Sequence, residues 1–195
     1  MTTADTADTA AEPGLLRRAL DGLYLLAGWL AGLFLIAILV LMMGLSLGRE
    51  VGVNIPAGDD FASWCMAAMA FLGLAHTFKH GDMIRVGLLV DRLSGRSRWA
   101  VEMFALLIGT GFVGYFAWYA VVMTWQSWQF ADTSTGVVAI PLWIPQLGYS
   151  GGLVILLVAF LDELVHVARG GMPRYERPPP QSADEVIERA LESAV

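Results

Sequence analysis

Charge is missing from long stretches of this 195-residue chain, and that absence constrains the fold more than any motif does. No Asp, Glu, Lys or Arg occurs in residues 22–48, 61–78, 103–131 or 133–161. A hydrocarbon layer about 30 Å thick takes roughly 20 apolar residues of helix to cross. Each stretch is near or above that length. No water reaches the backbone inside the layer, so its N–H and C=O groups must pair within the segment, as a helix does. Strands of a membrane barrel would alternate polar and apolar residues, and these stretches do not. The sequence therefore predicts an all-α integral membrane protein with four transmembrane helices, at about 23–47, 61–78, 99–125 and 142–167.

Composition agrees. The chain is 56% hydrophobic, its mean hydropathy is +0.60 and only 15% of it is charged, against about a quarter in soluble domains. The net charge of -6 is no nucleic-acid or substrate signal, because much of it sits in the C-terminal tail, at Asp184, Glu185, Glu188 and Glu192. Nucleic acid is not an expected partner. The single Cys65 makes no internal disulfide and no metal cluster. Arg17 and Arg18 precede the first apolar run as in a signal peptide. That run is too long for the usual h-region of about 7–15 residues, and it is read as a retained span.

Positive charge fixes the expected orientation. Lys and Arg accumulate in cytoplasmic loops. With four spans, the N-terminal tail, the middle connection and the C-terminal tail share one side. They hold 2, 5 and 4 of the 12 Lys and Arg residues, and Arg49 alone lies on the other side. The five in the middle are Lys79, Arg85, Arg92, Arg96 and Arg98. Both termini are therefore expected in the cytoplasm. Within that connection Val86, Leu89, Val90 and Leu93 recur at helical spacing. An amphipathic interfacial helix in the headgroup layer and a simple extension of the second span both fit.

Three regions follow. Residues 1–20 are a polar, small-residue tail that cannot bury enough apolar surface to order itself. Residues 21–168 are the membrane domain. Residues 169–195 form a Pro-rich tail, with Ser182 and Glu185 placed as a capping box for a short helix. Before the second span, Asp59 and Asp60 suit the positive end of a helix.

Within the spans, small residues recur four apart, as Gly28 with Gly32 and Gly148 with Gly152, while Gly109 lies in a glycine-rich part of the third. Such residues let helix backbones approach closely in lipid. Trp99, Trp125, Trp128, Trp143 and Tyr149 gather where interfacial belts are expected. No charge stands at a span centre, where a self-sufficient ion transporter would place ionisable groups. No nucleotide loop, nucleophile arrangement or metal-ligand spacing occurs. The physical reading is a small membrane subunit that works with a partner. Two other readings stay open: a haem-bearing anchor of an oxidoreductase, with His76 and His166 as paired ligands, and a stand-alone tetraspan protein.

Two stretches carry a family resemblance. One is 71–93, "FLGLAHTFKHGDMIRVGLLVDRL", with Gly81, Ile84 and Val86 in a Gly-x-x-Ile-x-Val turn, and with Asp82–Met83 where a His often precedes the Ile. The other is 133–152, "TSTGVVAIPLWIPQLGYSGG", with Ser134, Gly136, Ile140, Pro141, Trp143 and Ile144. In this order, within four spans, the chain resembles the small, DctQ-like permease subunit of tripartite ATP-independent periplasmic (TRAP) transporters. The resemblance implies a bacterial or archaeal inner-membrane complex with a large membrane subunit and a periplasmic substrate-binding protein. It implies sodium-coupled uptake of an organic acid such as a C4-dicarboxylate. Sodium and substrate sites would lie in the large subunit, so no cofactor, metal or catalytic residue is expected here, and the chain is not expected to be an enzyme. Gly28, Gly32, Gly109, Gly148 and Gly152 would pack on the large subunit. Arg49, Glu50 and Asp132 would join a rim that docks the binding protein. Lipids are expected neighbours of the basic connection. In some members the two membrane subunits are fused; the Pro-rich tail and the stop at Val195 point to a separate chain.

Overall fold

The computed structural model describes residues 15–53, 56–80 and 96–169. Its elements are α1 (Leu15–Glu50), α2 (Gly58–His80), α3 (Arg96–Gln129) and α4 (Trp143–Ala168). All four are long and apolar enough to cross a membrane. The protein is an all-helical, multi-pass membrane protein, and no strand forms among the described residues. The amphipathic segment foreseen at 86–93 lies outside them, as do Gly81, Ile84, Val86, Arg85 and Arg92.

Each helix takes in the span expected of it, apart from the first residue of the fourth, and α1 and α3 run well past theirs. α1 begins at Leu15, inside the segment that the sequence assigns to the N-terminal tail. Its first turns carry an i,i+4 pair, Arg17 with Asp21 at 4.0 Å, which suits a helix leaving the hydrocarbon. At 1.5 Å per residue, the 36 residues of α1 reach about 54 Å and the 34 of α3 about 51 Å. A bilayer with its headgroups is about 40–45 Å thick. α2 and α4, with 23 and 26 residues, are close to hydrocarbon length.

The helices do not pack in chain order. α2 packs between α1 and α4, and α3 packs principally on α4, giving the row α1, α2, α4, α3. α4 is the most buried span and α1 the least. Half of the buried apolar side chains are alanines: Ala27, Ala31, Ala62, Ala68, Ala75, Ala117, Ala120 and Ala159. Large apolar side chains such as Trp29, Leu33, Phe112 and Trp118 point outward. This inversion is physical, because lipid solvates large apolar groups as well as a core does, and association depends on close contact. Phe160 of α4 stacks on Phe78 of α2 at 4.1 Å between centroids. A Cβ at Gly109 of α3 would lie 2.7 Å from Cε1 of the same ring. Hydroxyls inside the spans close on their own helices, Thr110 on the Leu106 carbonyl at 2.7 Å and Thr124 on that of Ala120 at 2.8 Å. No backbone partner outside the helix is needed.

Candidate functional site: two capped ends and the faces between them

One end of the bundle is basic, holding Arg17, Arg18, Lys79, Arg98 and Arg169. Here Lys79 joins three helices. It leaves α2 with only 15% of its side chain exposed and reaches Asp162 of α4 at 3.2 Å and Asp21 of α1 at 3.5 Å. Its ammonium lies 5.1 Å from the centroid of the Tyr24 ring, within range of a cation–π attraction. His76, one turn earlier, faces the carbonyl of Tyr24. Its Nδ1–H donates to that oxygen at 3.1 Å, since a carbonyl can only accept. The His76 ring fills the space that a Cβ on Gly28 would need. On α3, the Arg98 guanidinium meets the buried Glu102 carboxylate at 3.0 Å. The Trp99 indole N–H donates to the Val167 carbonyl at 3.3 Å. Glu163 of α4 is buried too, at 4% exposure. Sequence reasoning used Lys79 and Arg98 only as topology markers and missed Asp21, Asp162, Glu102 and Glu163. The available signal was acidic residues at span ends, each set at the depth of a basic one. Arg96 opens α3.

The opposite end is built by loops. Asp59 and Asp60 stand in the first turn of α2, as the sequence predicts. Arg49 lies 4.0 Å from Asp59, with both side chains mostly exposed. Between α3 and α4 the chain folds into a small hairpin. Thr133 and Pro141 form an antiparallel bridge. The Ser134 N–H donates to the Ile140 carbonyl at 2.8 Å, and the Leu142 N–H to the Asp132 carbonyl at 2.9 Å. The Ser134 hydroxyl accepts from the Gly136 N–H at 3.2 Å. A Cβ on Gly136 would fall on the Asp60 carboxylate, so a side chain there would have to push that carboxylate aside. The Ser-x-Gly and Ile-Pro positions thus tie this loop together and seat it on the start of α2. Trp143, Ile144 and Pro145 fill the first turn of α4, where a proline costs no helical hydrogen bond. Arg49, Glu50 and Asp132 share this end of the molecule, and all are exposed.

The packing glycines divide. Gly28 meets His76, Gly109 meets Phe160, Gly148 meets Ala68, and Gly152 meets the backbone of Phe71 and Leu72. These four approaches are to this chain's own helices. Gly32 has open space around it. What remains outward is apolar: one long face of α1, one of α3, and a groove between α3 and α4.

A family model matches most of this four-span chain. The model of the DctQ component of tripartite ATP-independent periplasmic transporters covers residues 36–170. The chain belongs to the DctQ family. That makes it a small membrane subunit of a TRAP transporter, a transport family and not an enzyme family. No curated protein matches the chain. The match takes in residues 36–50 of α1 and all of α2, α3 and α4. Among the described residues of this DctQ subunit, no group of three or more His, Cys, Asp or Glu side chains is placed to hold a metal. His76, weighed as a haem ligand, has its Nδ1 turned to the Tyr24 carbonyl.

Proposed function

We propose that this DctQ subunit braces the large membrane subunit of a sodium-coupled TRAP transporter for an organic acid and offers part of the surface on which the periplasmic binding protein docks. The observation that carries the reading is the open row of helices. α1 and α3 stand at its two ends, both longer than a bilayer is thick, and both present large apolar side chains outward along their length. A stationary scaffold needs such faces and needs no charge at mid-depth. Sodium and substrate then bind in the large subunit. Both termini lie in the cytoplasm, which puts the Lys79 end inside and the hairpin with Arg49, Glu50 and Asp132 outside, where a periplasmic partner arrives. Opposite charges across such a rim steer an encounter and set its register.

The test is reconstitution. The chain is expressed with its large membrane subunit, purified and placed in liposomes with the binding protein. A one-to-one complex is expected, with uptake that needs a sodium gradient and all three components. Equal uptake by the large subunit without this chain would end the bracing proposal. Cysteines at position 50 and in the C-terminal tail, labelled in whole cells by a membrane-impermeant maleimide, test sidedness: position 50 is expected to react and the tail is not.

A further inference from the structure

The outward face of α3 is apolar in area but not in every group. Tyr115, Trp118 and Tyr119 stand on it within little more than one turn, 60%, 69% and 55% exposed. Each carries a hydrogen-bond donor, and no hydrogen bond among the described residues uses it. The buried side chains of α3, Leu106, Ala117, Ala120 and Thr124, turn the other way, toward α4. No other helix of the described bundle packs on this side to offer an acceptor. Tyr and Trp usually sit at the membrane surfaces, where one end of the ring is wet. These three do not. At helical rise Tyr115 is about 20 Å from Glu102 on one side and about 16 Å from Gln126 on the other. That is near mid-depth in a hydrocarbon layer about 30 Å thick. Trp118 and Tyr119 lie about 12 and about 10 Å short of Gln126. Helical side chains lean toward the helix N-terminus, so the ordinary lean of these two is back toward the middle, not out to the nearer surface.

We propose that this patch is where α3 seats a helix of the large membrane subunit, one that presents hydrogen-bond acceptors at mid-depth. The inference rests on the bracing role and names the face that carries it. Lipid tails cannot accept from the three donors, and a hydroxyl or indole N–H left without an acceptor in hydrocarbon is costly. Oxygens on a neighbouring helix can accept. The patch is also set for contact. The Tyr115 ring lies 4.7 Å from that of Tyr119 and 5.8 Å from that of Phe116, and Phe116 lies 4.7 Å from Phe112. Rings braced on one another lose little freedom on binding. Gly111, one turn before Tyr115, has nothing within 4 Å of where its Cβ would be, so another backbone can come close there. The outward face of α1 makes a contrast. From Leu25 to Met43 its exposed side chains offer one donor, the Trp29 indole. Trp29 is about 12 Å from Asp21, and its ordinary lean is toward that nearer end.

The experiment expresses the full chain with its large membrane subunit and places the photo-crosslinking residue p-benzoyl-phenylalanine at position 115 or 119. Crosslinks from both positions to the large subunit, mapped by peptide mass spectrometry to one of its membrane helices, are the expected result. The paired variant Tyr115→Phe with Tyr119→Phe deletes only two hydroxyls. Energy transfer between the two co-expressed subunits, followed on graded dilution with lipid, reads their affinity. It is expected to fall about three- to tenfold in the paired variant, while the stability of the chain itself stays at the wild-type value. Crosslinks only to lipid, or to a second copy of this chain, from an intact one-to-one complex would overturn the inference and leave the bracing role standing. Wild-type affinity in the paired variant would overturn it too, because the donors are what choose protein over lipid. Failure of the wild-type subunits to form a complex would end the bracing role and this inference with it.

Discussion

Gly152 offers the most direct test of how the bundle is held. A Cβ there would lie 2.7 Å from the backbone carbon of Phe71 and 2.8 Å from the nitrogen of Leu72. These are main-chain atoms within α2 and cannot rotate away. Ordinary contact begins near 3.4 Å, so Gly152→Ala must part α2 and α4 by about 0.7 Å at this level. A gap of about 0.5–1 Å forfeits a quarter to a half of the dispersion attraction across it. Overpacking of this kind costs about 1–3 kcal/mol. The helix propensity of Ala over Gly returns up to about 1 kcal/mol. A net loss of about 1–2 kcal/mol is expected, roughly a 5–30-fold shift in the folded ratio. Gly151→Ala, one residue along, meets nothing within 4 Å and is expected to be neutral or slightly stabilising. Denaturation by SDS in mixed micelles, followed by tryptophan fluorescence, measures both. Equal stabilities for the two variants, or a wild-type value for Gly152→Ala, would refute the close-approach argument.

Lys79→Met removes the charge that answers Asp21 and Asp162; because Asp162 is only 23% exposed, a loss of about 1–3 kcal/mol is expected in the same assay. Restoring the charge as Lys79→Arg should recover part of it, whereas removal of the half-exposed Asp21 should cost about 0–1 kcal/mol. Gly136→Val drives a side chain into the Asp60 carboxylate and should loosen the hairpin, seen as faster proteolysis within 133–141, with global stability held within about 0.5 kcal/mol. Glu50→Lys should weaken docking of the binding protein and leave assembly with the large subunit intact; unchanged docking and uptake would remove Glu50 from the rim.

The spans were legible because a run of uncharged residues long enough to cross lipid has few other fates in water or membrane. Asp59 and Asp60 marked the start of α2 for an equally local reason, the field at a helix N-terminus. Neighbour order was not legible. Hydropathy says that a segment is in the membrane, and it does not say that α2 packs on α4 while α3 stands outside. The glycines show the same limit. Their spacing announces close approach, yet only coordinates show that Gly28 meets His76 and Gly152 meets Phe71 within the chain. Lys79 was legible as a charge at a span end. Its partners Asp21 and Asp162 are 58 and 83 positions away, so no local pattern joins them. The Ser134 to Pro141 motif was visible as a fingerprint, and its work in tying the hairpin and seating it on Asp60 became visible only in three dimensions.

The row of helices bears on how the chain is made. α4 leaves the ribosome after the other three helices, and it supplies the contacts that connect α3 to the rest. Until it enters the bilayer, α1 and α2 can pair, but Lys79 lacks Asp162, the Trp99 indole lacks the Val167 carbonyl, and α3 waits beside them without its main neighbour. A ribosome stalled before Trp143 would hold a helical pair and a stray, so assembly of the bundle turns on the arrival of α4. Quality-control proteases that sense orphaned membrane helices would read α3 as the exposed element during that interval.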